Sequence, residues 1–177
     1  MAEIIALNSA AAVVNWFIDK NRTDGVDLTH LKIQKLLYFA QGFHLAYWPT
    51  PLFADPIEAW KYGPVVRSIY YALRSHAKHE VITDYINGSV MENGVYRVTT
   101  PVMDFSVNDG LENFMEAFWS VYSKDKTWEL VAASHAEGSP WTSVYSASKD
   151  VLENPIIPVE LMKTYFTAWA GREKRNA

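Results

Sequence analysis

The stretch LTHLKIQKLLYFAQGFHLAY, Leu28 to Tyr47, decides how the rest of the chain is read. Its apolar residues occupy most faces of a helix instead of one stripe, so the helix belongs at the centre of a fold, covered on several sides. Its polar residues are then the informative ones. Lys32 and Lys35 point to one side. His30, Gln34, Gln41 and His44 fall, with Leu37 and Trp48, inside a stripe about 80° wide at about 100° per residue. An uncharged polar stripe either hydrogen-bonds to neighbouring elements or lines a shallow groove, and hydrogen bonding at the edge of the core is the simpler expectation.

Working outward, Trp48-Pro49-Thr50-Pro51 ends this helix, because proline supplies no amide donor and constrains its predecessor. Upstream, Ser9 to Arg22 reads as a helix with Ala12, Val13, Trp16 and Phe17 on one face, Ser9 as its cap and Thr23-Asp24-Gly25 as its stop. Downstream, Ile57 to Tyr62 is extended. Gly63-Pro64 then matches a helix start, with Gly near the cap and Pro as first residue. That helix is expected from Pro64 to about Ala77, with Val65, Ile69, Ala72 and Leu73 inward. Val81 to Thr100 is the β candidate, turned by Asn93-Gly94, and so small a hairpin is expected to pack against helices.

Further helices are expected from Ser106 to about Lys124, from a Thr127 cap to His135 or Glu137, from Ser139-Pro140 onward, and from Pro158 to Ala170. The fold class is therefore mainly α: a compact, single-domain helical bundle of about six helices with one small β-hairpin. One domain covers residues 1–177, with its core at about 8–170.

Bulk composition agrees. The chain has 177 residues, 49% hydrophobic and 14% aromatic, enough for one domain with a sizeable core. It has no cysteine, which excludes disulfides and thiolate chemistry and fits a reducing compartment. The N-terminal residues lack the basic start and cleavage site of a secretory signal. No run approaches the roughly 20 apolar residues of a membrane span, so a cytoplasmic protein without membrane contact is expected. Net charge is −4, and residues 101–177 hold all the excess, with seven basic against eleven acidic side chains. No concentrated basic face offers itself to phosphates, so no nucleic-acid partner is expected.

Catalytic patterns fail on geometry. Ser134 and His135 diverge by about 100° on a helix and cannot pair as nucleophile and base. His76 and His79 lack further ligands for a metal, and His30 and His44 lie about 21 Å apart along an ideal helix. No glycine-rich phosphate loop is present. No enzyme activity, metal or cofactor is expected. One surface constellation remains. Arg67, Tyr71, Arg74 and Lys78 step by four, three and four residues, and Arg and Tyr are enriched at interface hot spots. They are the partner-contact candidates, against the plainer reading of a solvated charged face.

Three ordered segments carry a family resemblance. They are K-x-x-K-L-L-Y-x-x-Q from Lys32 to Gln41, A-W-x-Y-G-P-V from Ala59 to Val65, and H-x-E-x-x-P-W from His135 to Trp141. With them, residues 8–170 resemble the Panacea domain, the family of phage- and mobile-element-associated antitoxins that includes GepA-like and SocA-like members. The resemblance implies an antitoxin that neutralises a cognate toxin, typically encoded by the adjacent gene, through direct protein–protein contact. The toxin's identity and the oligomeric state do not carry over. The motif residues Lys32, Lys35, Gln41, Trp60, Tyr62, Gly63, Pro64, His135, Pro140 and Trp141 are expected to be structural, the Gly63-Pro64 corner turning an extended segment into a helix. Two alternatives stand beside this reading. One is a regulatory or proteolytic adaptor; the other is an enzyme using a polar groove with His30, His44 and His135.

Overall fold

The computed structural model describes residues 8–106, 109–148 and 153–176. Helix α2, His30–Tyr47, runs through the middle, and every residue from Lys32 to Leu45 is buried. It touches α1 (Ala10–Asp24), strand β2 (Gly63–Val66), α3 (Arg67–Leu73), α4 (Leu111–Tyr122), α5 (Thr127–Ser134) and α7 (Val159–Asn176). Strand β1, Ile57–Trp60, pairs with β2; β3 (Gly88–Glu92) pairs with β4 (Val95–Thr99); α6 is Pro140–Ala147. The described residues thus form seven helices and two antiparallel two-stranded sheets, mainly α as expected, with one helix and one hairpin more. None of these helices is long and apolar enough to cross a membrane.

Local signals place several boundaries where the sequence puts them. Ser9 Oγ accepts the Ala12 amide at 3.1 Å, and Gly25 closes α1 with φ +63°. Ser139 Oγ accepts the Thr142 amide at 3.2 Å, with Pro140 opening α6. Thr127 is not a cap: Lys126 holds that position, and the Glu129 carboxylate accepts its amide at 2.7 Å. Of the 106–124 helix, Leu111–Tyr122 is observed, while residues 107 and 108 lie outside the described residues.

The larger corrections concern the two hairpins. Gly63-Pro64 is not a helix start. Trp60 pairs with Gly63 across the two-residue turn Lys61-Tyr62, and Ala59 pairs with Pro64. In that second pair the amides face away from the ladder, as the Ala59 N–H shows by donating to Pro155 O at 2.8 Å. Proline's missing donor is therefore never needed there, which is the one way proline sits in a strand at no loss. The following helix is Arg67–Leu73 and not Pro64 to Ala77. The β3–β4 hairpin forms around Asn93-Gly94, both with positive φ, yet it hardly packs on helices: Tyr96 is 71% and Val98 76% exposed. It is tied at its base instead. Buried Asn15 accepts the Ile86 amide and donates to the Ile86 and Pro101 carbonyls, at 2.8, 2.9 and 2.8 Å.

The aromatic residues divide between core and surface. Phe39, Phe43, Tyr122, Phe166 and Trp169 pack ring on ring between α2, α4 and α7. Tyr122 lies parallel to Phe39, while Phe43 meets Phe166 edge to face with centroids 5.0 Å apart, and Trp169 meets Phe39 and Phe43 in the same way. Trp119 and Trp141 are buried, while Trp128 is exposed. The cluster closes only because residue 42 has no side chain: a Cβ on Gly42 would overlap the Phe166 ring. Gly42→Ala should therefore destabilise the fold by about 1–3 kcal/mol, the range for overpacked cores. Urea unfolding checks it, and an unchanged midpoint would refute this account of the α2–α7 contact.

Candidate functional site

Two residues of α2 complete the edge of β2. The Val66 N–H and C=O point out of the hairpin towards α2, where no strand lies. Gln34 meets both, its Oε1 accepting the Val66 amide at 2.8 Å and its Nε2 donating to the Val66 carbonyl at 3.3 Å. One step along, Lys35 Nζ donates to Pro64 O at 3.1 Å and Tyr62 O at 3.4 Å. The other edge of the hairpin is completed by the 155–157 segment, with Ile157 N on Ile57 O at 2.8 Å. Both edges are thereby satisfied, one by backbone and one by side chains.

The turn needs a glycine for two reasons. Gly63 has φ +113°, a region side chains avoid, and a Cβ there would meet Lys35 Nζ and lie 3.1 Å from His135 Cε1. His135 packs on Trp141, ring centroids 3.9 Å apart, and the Trp141 indole N–H donates to Trp60 O at 2.9 Å. The three segments that carry the family resemblance therefore meet at one place: Lys35 from α2, Trp60 to Pro64 from the hairpin, His135 and Trp141 from the α5–α6 corner. Gln41 does at its own end of α2 what Gln34 does here, bonding the Leu52 and Phe53 amides at 2.7 and 3.2 Å and the Phe53 carbonyl at 3.0 Å. Lys32 Nζ donates to Ser123 O at 2.6 Å.

The uncharged stripe of α2 does not line one groove. His30 and Gln34 line one pocket, Gln41 lines a separate one, and His44 is fully buried. His44 stacks on Trp48, centroids 4.7 Å apart, and burial lowers it to about 4, outweighing the Thr50 backbone, which acts to raise it. Against the divergence expected from helical spacing, Ser134 Oγ lies 3.1 Å from His135 Nδ1. Both atoms also donate to the Val131 carbonyl, at 2.8 and 2.7 Å, so Nδ1 carries a proton and cannot take the one on Ser134, which is fully buried. His76 pairs with Glu80 at 2.6 Å, and no cluster of three metal-ligating residues occurs among the described residues.

Of the four surface candidates, Arg67 is occupied. Its Nε and Nη2 grip Glu58 at 2.7 and 2.8 Å, and the Trp60 indole N–H donates to the same carboxylate at 2.7 Å. Burial pushes Glu58 up, but these donors outweigh it and hold the acid below its ordinary range. Tyr71 is 50% exposed, with the Arg74 guanidinium 5.1 Å over its ring. Lys78 lies beyond the end of α3, so helical spacing does not group it with Tyr71 and Arg74; it lines the pocket of His30 and Tyr70 instead. Sequence reading missed the strand character of Pro64 and the service of Gln34 to β2. The signal available was Gln34 itself, an amide on an otherwise buried face.

The sequence of the chain matches the model of the family described as antitoxin SocA-like, Panacea domain, over residues 33–142. Antitoxin SocA from Caulobacter vibrioides (strain NA1000 / CB15N) is 32% identical over 132 residues, covering 75% of this chain and 68% of that protein. No solved structure gives a significant match. The chain belongs to the SocA-like, Panacea-domain antitoxin family.

Buried Lys35 gives the site a pH signature. Burial lowers its amine from 10.5 to about 7, while the unfolded chain keeps the ordinary value. Between those values the unfolded state binds more protons, so this residue makes stability rise with pH from about 7 to about 10, and adds nothing to the slope below. Lys35→Met should flatten that rise. Urea midpoints for both proteins across this range check it, and parallel curves would contradict the assignment.

Proposed function

We propose that the chain is an antitoxin that neutralises a cognate toxin, encoded beside it, by direct protein–protein contact. Family membership supports the antitoxin role, and the relative it matches is itself named an antitoxin. The observation that favours contact over chemistry is the use made of the site's polar groups. Gln34, Lys35 and Gln41 are spent on the chain's own backbone, and Glu58 on Arg67 and Trp60. What faces outward is aromatic and cationic: Tyr62, Tyr71, Arg74 and Lys78, a composition typical of contact surfaces. In this reading Tyr71, Arg74 and Lys78 contact the toxin, Arg67 braces the hairpin beneath them, and residues 8–170 act as one unit in the cytoplasm. No cofactor takes part, and nucleic acid is not the partner.

Growth of cells expressing the adjacent reading frame tests this. The neighbour alone should stop growth, this chain should restore it, and the two should co-purify with the toxin inactive in the purified complex. A lethal neighbour that stays lethal despite soluble co-expression would overturn the pairing. Rescue that needs a protease, with a purified complex still active, would overturn direct inhibition in favour of an adaptor.

A further inference from the structure

Beside the site lies a pocket of about 430 Å³ between α2, the β1–β2 turn, α3 and the chain just after it. Its wall is a continuous aromatic surface: His30 and Tyr70 centroids lie 5.3 Å apart, Tyr70 and Trp60 4.7 Å. Every ammonium or imidazole on that wall is basic in kind, and no carboxylate of the described residues lines it. Lys61 and Lys78 stand at the pocket and form no ion pair among the described residues. His76 has a partner, Glu80, but Glu80 does not line the pocket. His30 on the wall is held below its ordinary value chiefly by burial, with the charge of His76 adding to it. This local excess of positive charge sits in a chain whose net charge is −4.

We infer that this pocket seats an acidic segment of a partner polypeptide, a carboxylate side chain next to an aromatic or aliphatic one. The aromatic wall takes the apolar neighbour, and the lysines meet the carboxylate at the rim. The volume falls within the roughly 300–1,000 Å³ of pockets that hold compact ligands. A nucleic acid fits less well, because the cations surround one concavity instead of tracking a backbone, and the rest of the chain would repel phosphates. The identity of the partner as a toxin rests on the direct-contact reading above; the chemistry of the pocket does not.

The test titrates the full chain with the capped peptide Gly-Glu-Phe-Glu-Gly, its Gln-for-Glu counterpart and a short oligothymidine, following the Trp60 indole and His30 ring by NMR. The acidic peptide should shift both signals saturably, and the Gln peptide should bind at least ~10-fold more weakly. The double variant Lys61→Glu, Lys78→Glu, both surface lysines, should keep its thermal midpoint and lose at least ~10-fold of the acidic peptide's affinity. Equal binding of the two peptides, shifts confined to other residues, undiminished binding by the folded double variant, or tighter binding of the oligothymidine would overturn the inference. The two readings fail separately: a toxin that the wild-type chain leaves active removes the antitoxin pairing and does not bear on the peptide titration.

Discussion

The structure depends on an edge that has no strand beside it. Strand β2 turns the Val66 amide and carbonyl and the Pro64 carbonyl inward, against a helix that has no spare backbone hydrogen bonds to offer. Left unmet, each such buried group costs about 1–3 kcal/mol. Gln34 and Lys35, adjacent on α2, meet all three. Packing of strand on helix, normally apolar and tolerant of sliding, is thereby fixed in register, because an amide side chain can pair with one peptide unit and no other in reach.

The rest of the site follows from that register. With the hairpin pinned on α2, Gly63 lies so close to Lys35 and His135 that no side chain fits, and the Trp60 carbonyl is presented to the Trp141 indole. The corner between α5 and α6 is thus built onto the hairpin, and the hairpin's outer face is braced by Arg67 and Glu58. The exposed aromatic and cationic residues stand on this frame. On the direct-contact proposal, a surface mounted this way loses little conformational freedom on binding, which favours affinity from a small area.

Much of this was legible in the sequence, for identifiable reasons. Helix α2 announced its central position by being apolar all round, and Ser9, Gly25, Ser139 and Pro140 marked boundaries through backbone chemistry that acts locally. The β1–β2 hairpin was not legible, because Gly-Pro before an apolar run carries the same local signal whether it opens a helix or closes a two-residue turn. What decides is the outer edge partner, 155–157, some ninety residues away. The pairing of Gln34 and Gln41 with backbone was anticipated as a type of role without its partners. Arg67 illustrates the converse: helical spacing placed it on a shared face with Tyr71, but nothing local revealed that Glu58 would claim it.

Hydrogen exchange at the Val66 amide tests the central claim most directly. In the wild-type chain this amide should be protected like those of α2 itself. In Gln34→Leu, which keeps the volume and removes the amide, Val66 should exchange at least ~10-fold faster while the Leu36 and Leu37 amides keep their protection, the expected loss of about one hydrogen bond. Unchanged protection at Val66 in a folded Gln34→Leu chain would mean that apolar packing alone holds the hairpin, and that the side-chain edge is not what the structure depends on.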